Sequence, residues 1–423
     1  MKKTEVNKKS VLILCDLFPP AFGPRMGYLC KYLLLNGWHP VILTEDVGEE
    51  TFSFLSDYLQ ANKVEVVRIR YYGKKGWAGK MVWGWTFLRD ILFGYKDARM
   101  YREAMKMAEN HHFTHVLCST YRTFPLCAAS RFAQKKSLPL IIDLRDIIEQ
   151  YTGYEFITHP LPKIFGLDKL IASIFRKRNL TIRNKILQKA AAVTTISPWH
   201  VTELKKYNPN THLIYNGYDP EIFYPTCQNA KKFYITYTGR LLSAAMRDPD
   251  LLFQAVTRLS EEGFINPDEF QIRWYVDAKS EKIITQAAAK YPNMASCMGY
   301  YGYIPASEIP NILNESAIIL LLTNKAASDG PQGVMTTKLF ESLAVGRPIL
   351  CVSGDEGCLE EVINRTQSGL SAHHADEVYD FIKHHYLRWQ SGQPYQDNSD
   401  RAEINKFSRA SQAQQFIALF DTI

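Results

Sequence analysis

Lys338 and Glu341 stand three residues apart in GPQGVMTTKLFESLAVGRPILC (330–351). That spacing places an ammonium and a carboxylate on one face of a helix. Just ahead of them, Gly330, Pro331 and Gly333 form a backbone that a ligand can approach without side chains in the way. Thr336 and Thr337 sit where a helix cap is expected, and the first-turn N–H groups behind them point back at the loop, the place for an anion. The plainer reading is an ordinary capped helix between two strands. Other polar residues close apolar runs. Ser119 ends HVLCS and leads on to Thr123, Asp143-Leu-Arg-Asp146 ends LPLIID, and Arg240 follows FYITYTG directly. In open α/β sheets the carboxyl ends of strands are where ligands bind.

Metal chemistry finds less support. Asp248-Pro249-Asp250 matches a DxD pattern, but its place ahead of Leu251, Leu252, Ala255 and Leu259 reads as a helix cap. The doublets His111-His112, His373-His374 and His384-His385 lack a partner set and read as surface. Eight cysteines without a CxxC pair or zinc-finger spacing fit reduced, buried thiols. No metal and no cofactor is expected.

The elements that must position these groups follow an α/β rhythm. Strands are expected at Ser10–Cys15, His39–Thr44, Val64–Ile69, His115–Ser119 and Leu138–Asp143. Further strands are expected at Ala191–Ser197, Leu213–Tyr215, 233–239, Ile272–Val276, Ala317–Leu322 and Ile349–Val352. The first βαβ unit carries a Pro/Gly loop, DLFPPAFGPR, after its first strand, but no GxGxxG. A turn at Asn216–Pro220 and a Pro-flanked linker ending near Pro225 separate two α/β halves. The expected domains are 1–217, 218–405 and a C-terminal helical tail, 406–423, that packs back toward the first domain. The fold class is α/β, with two doubly wound, Rossmann-like domains facing across a deep cleft.

At 423 residues, 46% apolar and 22% charged, the chain is long enough for two cores of ordinary size. A net charge of +7 suits a phosphate-bearing partner, but no nucleic-acid reading motif is present. The opening MKKTEVNKKS-VLILCDLF imitates a signal peptide, but Asp16 interrupts its short apolar run and no small-residue cleavage site follows. No apolar run is long enough to span a bilayer, and a cytoplasmic location is expected. Arg70–Arg99 interleaves Lys and Arg with Trp77, Trp83 and Trp85, and Lys163–Lys189 is a second basic-amphipathic run. One reading is contact with an anionic membrane surface on the inner face of the cell membrane. The other is a pair of helices whose Trp and Leu enter the core.

Taken in order, FPPAFGPR, GWHPVILT, DLRD, TTISPWHVTEL, LIYNGYDPEIF, YTGRL and TTKLFESLAVGRPIL followed by Glu356-Gly357 carry a resemblance. Over nearly its whole length the chain resembles the GT-B glycosyltransferases, specifically family four of the retaining enzymes. The resemblance implies transfer of a sugar from a nucleotide-diphosphate sugar, UDP- or GDP-linked, to a hydroxyl on a glycan or lipid-linked acceptor, as in polysaccharide biosynthesis. It places Glu341 on the ribose hydroxyls, while the family's other glutamate, eight residues earlier, falls on Gly333 and is missing. Arg240, after Gly239, matches the family's diphosphate arginine, and Arg247 stands in for a lysine without a clean match. Lys338 and the backbone of Gly333, Val334, Met335, Thr336 and Thr337 complete the donor site. Gly23 and Arg25 are expected to face the donor phosphate. Asp146, with Arg145 and Ser119 as neighbours, is expected near the acceptor. The alternatives are a non-catalytic protein of the same fold, acting as scaffold or membrane-associated partner, and a nucleotide-sugar epimerase.

Overall fold

Val11, Leu12, Ile13 and Leu14, none of them exposed, form the heart of the first strand, β1 (Ser10–Cys15). Such unbroken apolar runs suit strands covered by helices on both faces. A computed structural model describes residues 9–48, 52–72, 76–151, 167–226, 230–241, 247–323, 333–352, 357–393 and 395–423. The chain divides into two compact units, Met1–Tyr215 with Gln412–Ile423, and Asn216–Ser411.

In the first unit β1 is joined by β2 (His39–Glu45), β3 (Glu65–Ile69), β4 (His115–Thr120), β5 (Leu140–Leu144), β6 (Ala192–Thr195) and β7 (Thr211–Leu213). Among the described residues the strand order is β3-β2-β1-β4-β5-β6-β7, parallel throughout. The second unit has β8 (Phe233–Thr238), β9 (Phe270–Tyr275), β10 (Met298–Tyr300), β11 (Ile318–Leu322), β12 (Ile349–Val352) and β13 (Gly369–Ala372). Its order is β10-β9-β8-β11-β12-β13, again parallel. The strand order reverses direction between β1 and β4 in one unit and between β8 and β11 in the other. In open α/β sheets ligands bind beside such a reversal, at the carboxyl ends of the strands.

Several elements depart from the sequence expectation. The strand expected at Leu213–Tyr215 lies at Thr211–Leu213. The carbonyls of Ile214 and Tyr215 accept from Arg25, and that of Tyr215 also from Gln412, instead of extending the sheet. Strands β10 (MGY) and β13 (GLSA) were not anticipated, because each is short, contains glycine and lacks an apolar run. The helical tail expected over 406–423 is the helix Arg409–Thr422, and a separate short helix, Arg401–Asn405, precedes it. The break falls where the backbone pairs with Tyr218, whose N–H donates to Phe407 and whose carbonyl accepts from Arg409. Arg70–Arg99 contributes two helices, Trp77–Phe93 and Tyr95–Asn110, divided at Gly94 with φ +59°. Lys163–Lys189 contributes the helix Leu167–Leu187, and its first residues fall outside the described chain.

Candidate functional site

In the second unit the helix Thr337–Val345 buries Leu339, Phe340, Leu343, Ala344 and Val345 in the domain. Its axis is thereby fixed, with its amino end toward the loop before it. Thr336 occupies the cap position in extended conformation, but no side-chain hydroxyl closes the first turn. Hydroxyl capping was expected there; among the described residues no side chain caps the turn, and the Leu339 amide donates instead to the Thr336 carbonyl at 3.3 Å. Gly346, at φ +71°, ends the helix with its amide on the Ser342 carbonyl.

Lys338 leaves the first turn of this helix and crosses to the end of β8. Its Nζ lies 3.3 Å from the Tyr237 hydroxyl and 4.8 Å from the centre of that ring. The path runs directly over Gly239. A Cβ built on Gly239 would stand 2.2 Å from Lys338 Nζ and 2.4 Å from its Cε, and the backbone there has φ +111°. The dihedral at 239 favours glycine, and a side chain there would push Lys338 out of its path. One turn further along, burial pushes the Glu341 carboxyl up to about 7, opposed by Arg409 and Lys338.

Arg240 is two-thirds exposed and pairs with Asp277 at 3.3 Å. Arg247 donates through Nη1 to the Leu322 carbonyl at 2.7 Å, at the end of β11, and its Nε is buried without a partner among the described residues. Gly333 has φ +66°, and Met335 is buried beneath the helix start. Gly330 and Pro331 lie outside the described residues, as does Glu356. Of the DxD residues, Asp248 accepts the Asp250 amide, and Asp250 accepts from Gln254 and the Tyr291 hydroxyl. These carboxylates serve the start of the helix Asp250–Glu261. Among the described residues no group of His, Cys, Asp or Glu is placed to hold a metal ion.

The parallel register sets Ser119 beside Asp143 and Asp143 beside Thr194. Both hydroxyls donate to the fully buried Asp143 carboxylate, at 2.8 and 2.7 Å. Arg25, only 2% exposed, completes this network with Nη2 at 2.8 Å and Nε at 3.0 Å from the same carboxylate. Burial works against ionised Asp143, but Arg25 and the two hydroxyls outweigh it and hold its pKa below the usual range. Arg25 and Ser119 are thus both hydrogen-bonded to Asp143. Gly23 leaves no room for a side chain, since a Cβ there would lie 2.7 Å from the Leu17 carbonyl oxygen.

Arg145 and Asp146 sit at the end of β5, as placed. Arg145 forms an ion pair with Asp16, the residue that follows β1. Asp146 accepts from Gln150 at 3.1 Å, and burial raises its pKa. Sequence reasoning passed over Asp16, Arg122 and the pair Lys96–Glu45. Asp16 had a legible signal, a carboxylate directly ending the apolar run VLILC. Lys96 and Glu45 are far apart in the chain and had none.

No family model matches the sequence, and no curated protein does. Solved structures match over nearly the whole chain. HepE of Anabaena, in complex with UDP and glucose, is 13% identical with a TM-score of 0.62, covering 98% of this chain and 100% of that one. Sucrose-phosphate synthase of Thermosynechococcus elongatus is 14% identical with a TM-score of 0.63, covering 98% of both chains. The UDP-GlcNAc 2-epimerase of Methanocaldococcus jannaschii is 9% identical with a TM-score of 0.52, covering 98% of this chain and 100% of that one. With the two parallel sheets, these likenesses define the class. The chain has the GT-B fold, built from two Rossmann-like units.

Proposed function

We propose that the chain is a retaining glycosyltransferase that takes a sugar from a nucleoside-diphosphate donor, UDP-linked before GDP-linked, and passes it to a hydroxyl acceptor. One observation carries the reading: Lys338 laid over Gly239, beside an uncapped helix start and one turn from Glu341. A lysine, the amides of a helix start and a carboxylate in that order fit a diphosphate followed by a ribose. HepE, whose complexes hold UDP and UDP-glucose, makes uridine the first base to test.

In this reading Lys338, Arg240, Arg247 and the amides from Gly333 to Thr337 neutralise the diphosphate as it leaves. The bond from the anomeric carbon to the phosphate oxygen breaks, and its electron pair departs with the diphosphate. The acceptor oxygen bonds the same face of that carbon, and its proton passes to the departing phosphate oxygen. Asp146 and Arg145 position the acceptor. Cell-surface polysaccharide or lipid-linked glycan synthesis is the setting, and the inner face of the cell membrane the place. The helix Trp77–Phe93 supports this with a row of exposed apolar side chains, Trp77, Met81, Trp85, Leu88 and Leu92. Among the described residues no helix is long and apolar enough to cross a membrane.

A thermal-shift panel of UDP, GDP, ADP and CMP on the metal-free protein tests the donor pocket. UDP is expected to raise the melting temperature, and Lys338→Ala to weaken UDP about tenfold to a hundredfold. A flat panel refutes the donor pocket and favours the non-catalytic alternative. Product analysis with UDP-GlcNAc separates transfer from 2-epimerisation.

A further inference from the structure

The first unit contains a second polar site, at the carboxyl ends of β1, β4 and β5. Asp16 is 6% exposed, and its Oδ2 has no hydrogen-bond partner among the described residues. Its other oxygen receives Arg145, whose Nε is also buried and unpartnered. Arg122 stands beside them with a third unpartnered buried atom, its Nε. Both guanidinium groups lie over the ring of Tyr121, Arg122 at 4.4 Å and Arg145 at 5.5 Å from its centre. Buried polar atoms are seldom left without partners, and three of them together call for a water, an ion or a ligand group.

The charge of the cluster says what kind of group that is. Arg145 is matched by Asp16, and Lys96 by Glu45 at 2.5 Å. Arg122 makes no ion pair among the described residues. Burial lowers its pKa, and the fields of Asp16 and Glu45 only partly restore it. An arginine in this state lacks an oxyanion. A phosphate supplies several acceptor oxygens to guanidinium groups gathered on one ring, whereas a neutral hydroxyl would leave the surplus charge unanswered.

We propose that Arg122 and Arg145 bind a phosphate group carried by the acceptor, while the free oxygen of Asp16 receives a hydroxyl of the same molecule. This rests on the transferase reading above, and it narrows the acceptor to phosphorylated molecules, whether a sugar phosphate or a lipid-linked phosphate. The cluster lies wholly within the first unit, so it can be tested apart from the donor pocket.

Inorganic phosphate is titrated calorimetrically into the full chain at constant ionic strength, with and without saturating UDP, with acetate as control. UDP occupies the donor pocket of the second unit, so saturable phosphate binding that persists in its presence reports Arg122 and Arg145. Arg122→Gln is expected to weaken that binding at least about tenfold and to leave the UDP affinity unchanged. Arg122→Lys, which keeps the charge but loses the fork, is expected to weaken it several-fold, and it decides the matter if the glutamine variant does not fold. Equal phosphate affinity in wild type and variant, no saturable phosphate binding, or acetate binding as tightly as phosphate each overturns the proposal. A protein that ignores UDP but binds phosphate through Arg122 refutes the donor pocket and leaves this site standing. Glucose 1-phosphate and phosphatidylcholine vesicles carrying phosphatidate, each read for dependence on Arg122, separate a soluble from a lipid phosphate.

Discussion

Glu341 holds its proton longer than an ordinary glutamate, because burial raises its pKa from 4.5 to about 7 despite the pull of Arg409 and Lys338. Between these values the folded chain keeps a proton that the unfolded chain has released. The stability due to this group is therefore complete below 4.5 and is lost as pH rises through 7. Melting temperature should fall across that window, and Glu341→Gln should flatten the fall. Donor binding should run the other way, since an ionised carboxylate is the better acceptor for ribose hydroxyls. We expect UDP affinity to rise about tenfold between about pH 6 and 8 in wild type, with little change in the glutamine variant, by calorimetry at each pH. Gly239 gives a second test at this scale. Gly239→Ala must displace Lys338 and strain a backbone at φ +111°, so it should lose about 1–3 kcal/mol in urea unfolding and weaken UDP as well.

The helix Trp77–Phe93 shows how an element can obey one rule and break another. It forms as its composition requires, yet Trp77 is 78% and Trp85 62% exposed, so these rings are not core. Met81, Leu88 and Leu92 continue the same face. Trp83 is half-buried and stacks on Phe87 at 5.2 Å. The reading in which all the tryptophans enter the core therefore does not hold for this helix. Exposed apolar rings beside Lys80 and Arg89 suit an interface rich in anionic lipid. Trp85→Gln with Leu88→Gln should leave the melting temperature within about 0.5 kcal/mol of wild type, as expected for surface sites. The same double variant should lose most of its cosedimentation with phosphatidylglycerol vesicles; unchanged binding would detach this face from the membrane.

At the scale of the whole molecule, the chain finishes the first unit with its last residues. The helix Arg409–Thr422 brings Phe420 against Trp38 at 5.0 Å and His115 at 5.3 Å, and His115 Nε2 meets the Phe420 carbonyl at 2.9 Å. Phe416 is fully buried, and Lys9 pairs with Asp421. The first unit therefore cannot be complete without Gln412–Ile423, although almost two hundred residues of the second unit intervene. Phe420→Ala should cost about 3–5 kcal/mol, and hydrogen exchange should show the loss around β1 and β4, not in the second unit.

The alternation of apolar runs and helical spacing determined the class of fold, because parallel strands buried on both faces leave no other pattern. It also located the helix Thr337–Val345, since glycines, a lysine and a glutamate at fixed offsets are local facts. Strands β10 and β13 were illegible because their few residues carry no pattern and are held only by neighbours. The fate of the charged residues was illegible for the same reason. Arg25 and Asp143 are 118 positions apart, and only the register of β4, β5 and β6 turns them, with Ser119 and Thr194, into one buried network. Asp16 and Arg145, 129 apart, meet in the same way. Sequence by itself determined which elements form and where polar groups end them. Tertiary structure alone decided which of those groups face each other and which are left with an unanswered charge, because pairing in a parallel sheet joins residues that the chain keeps far apart.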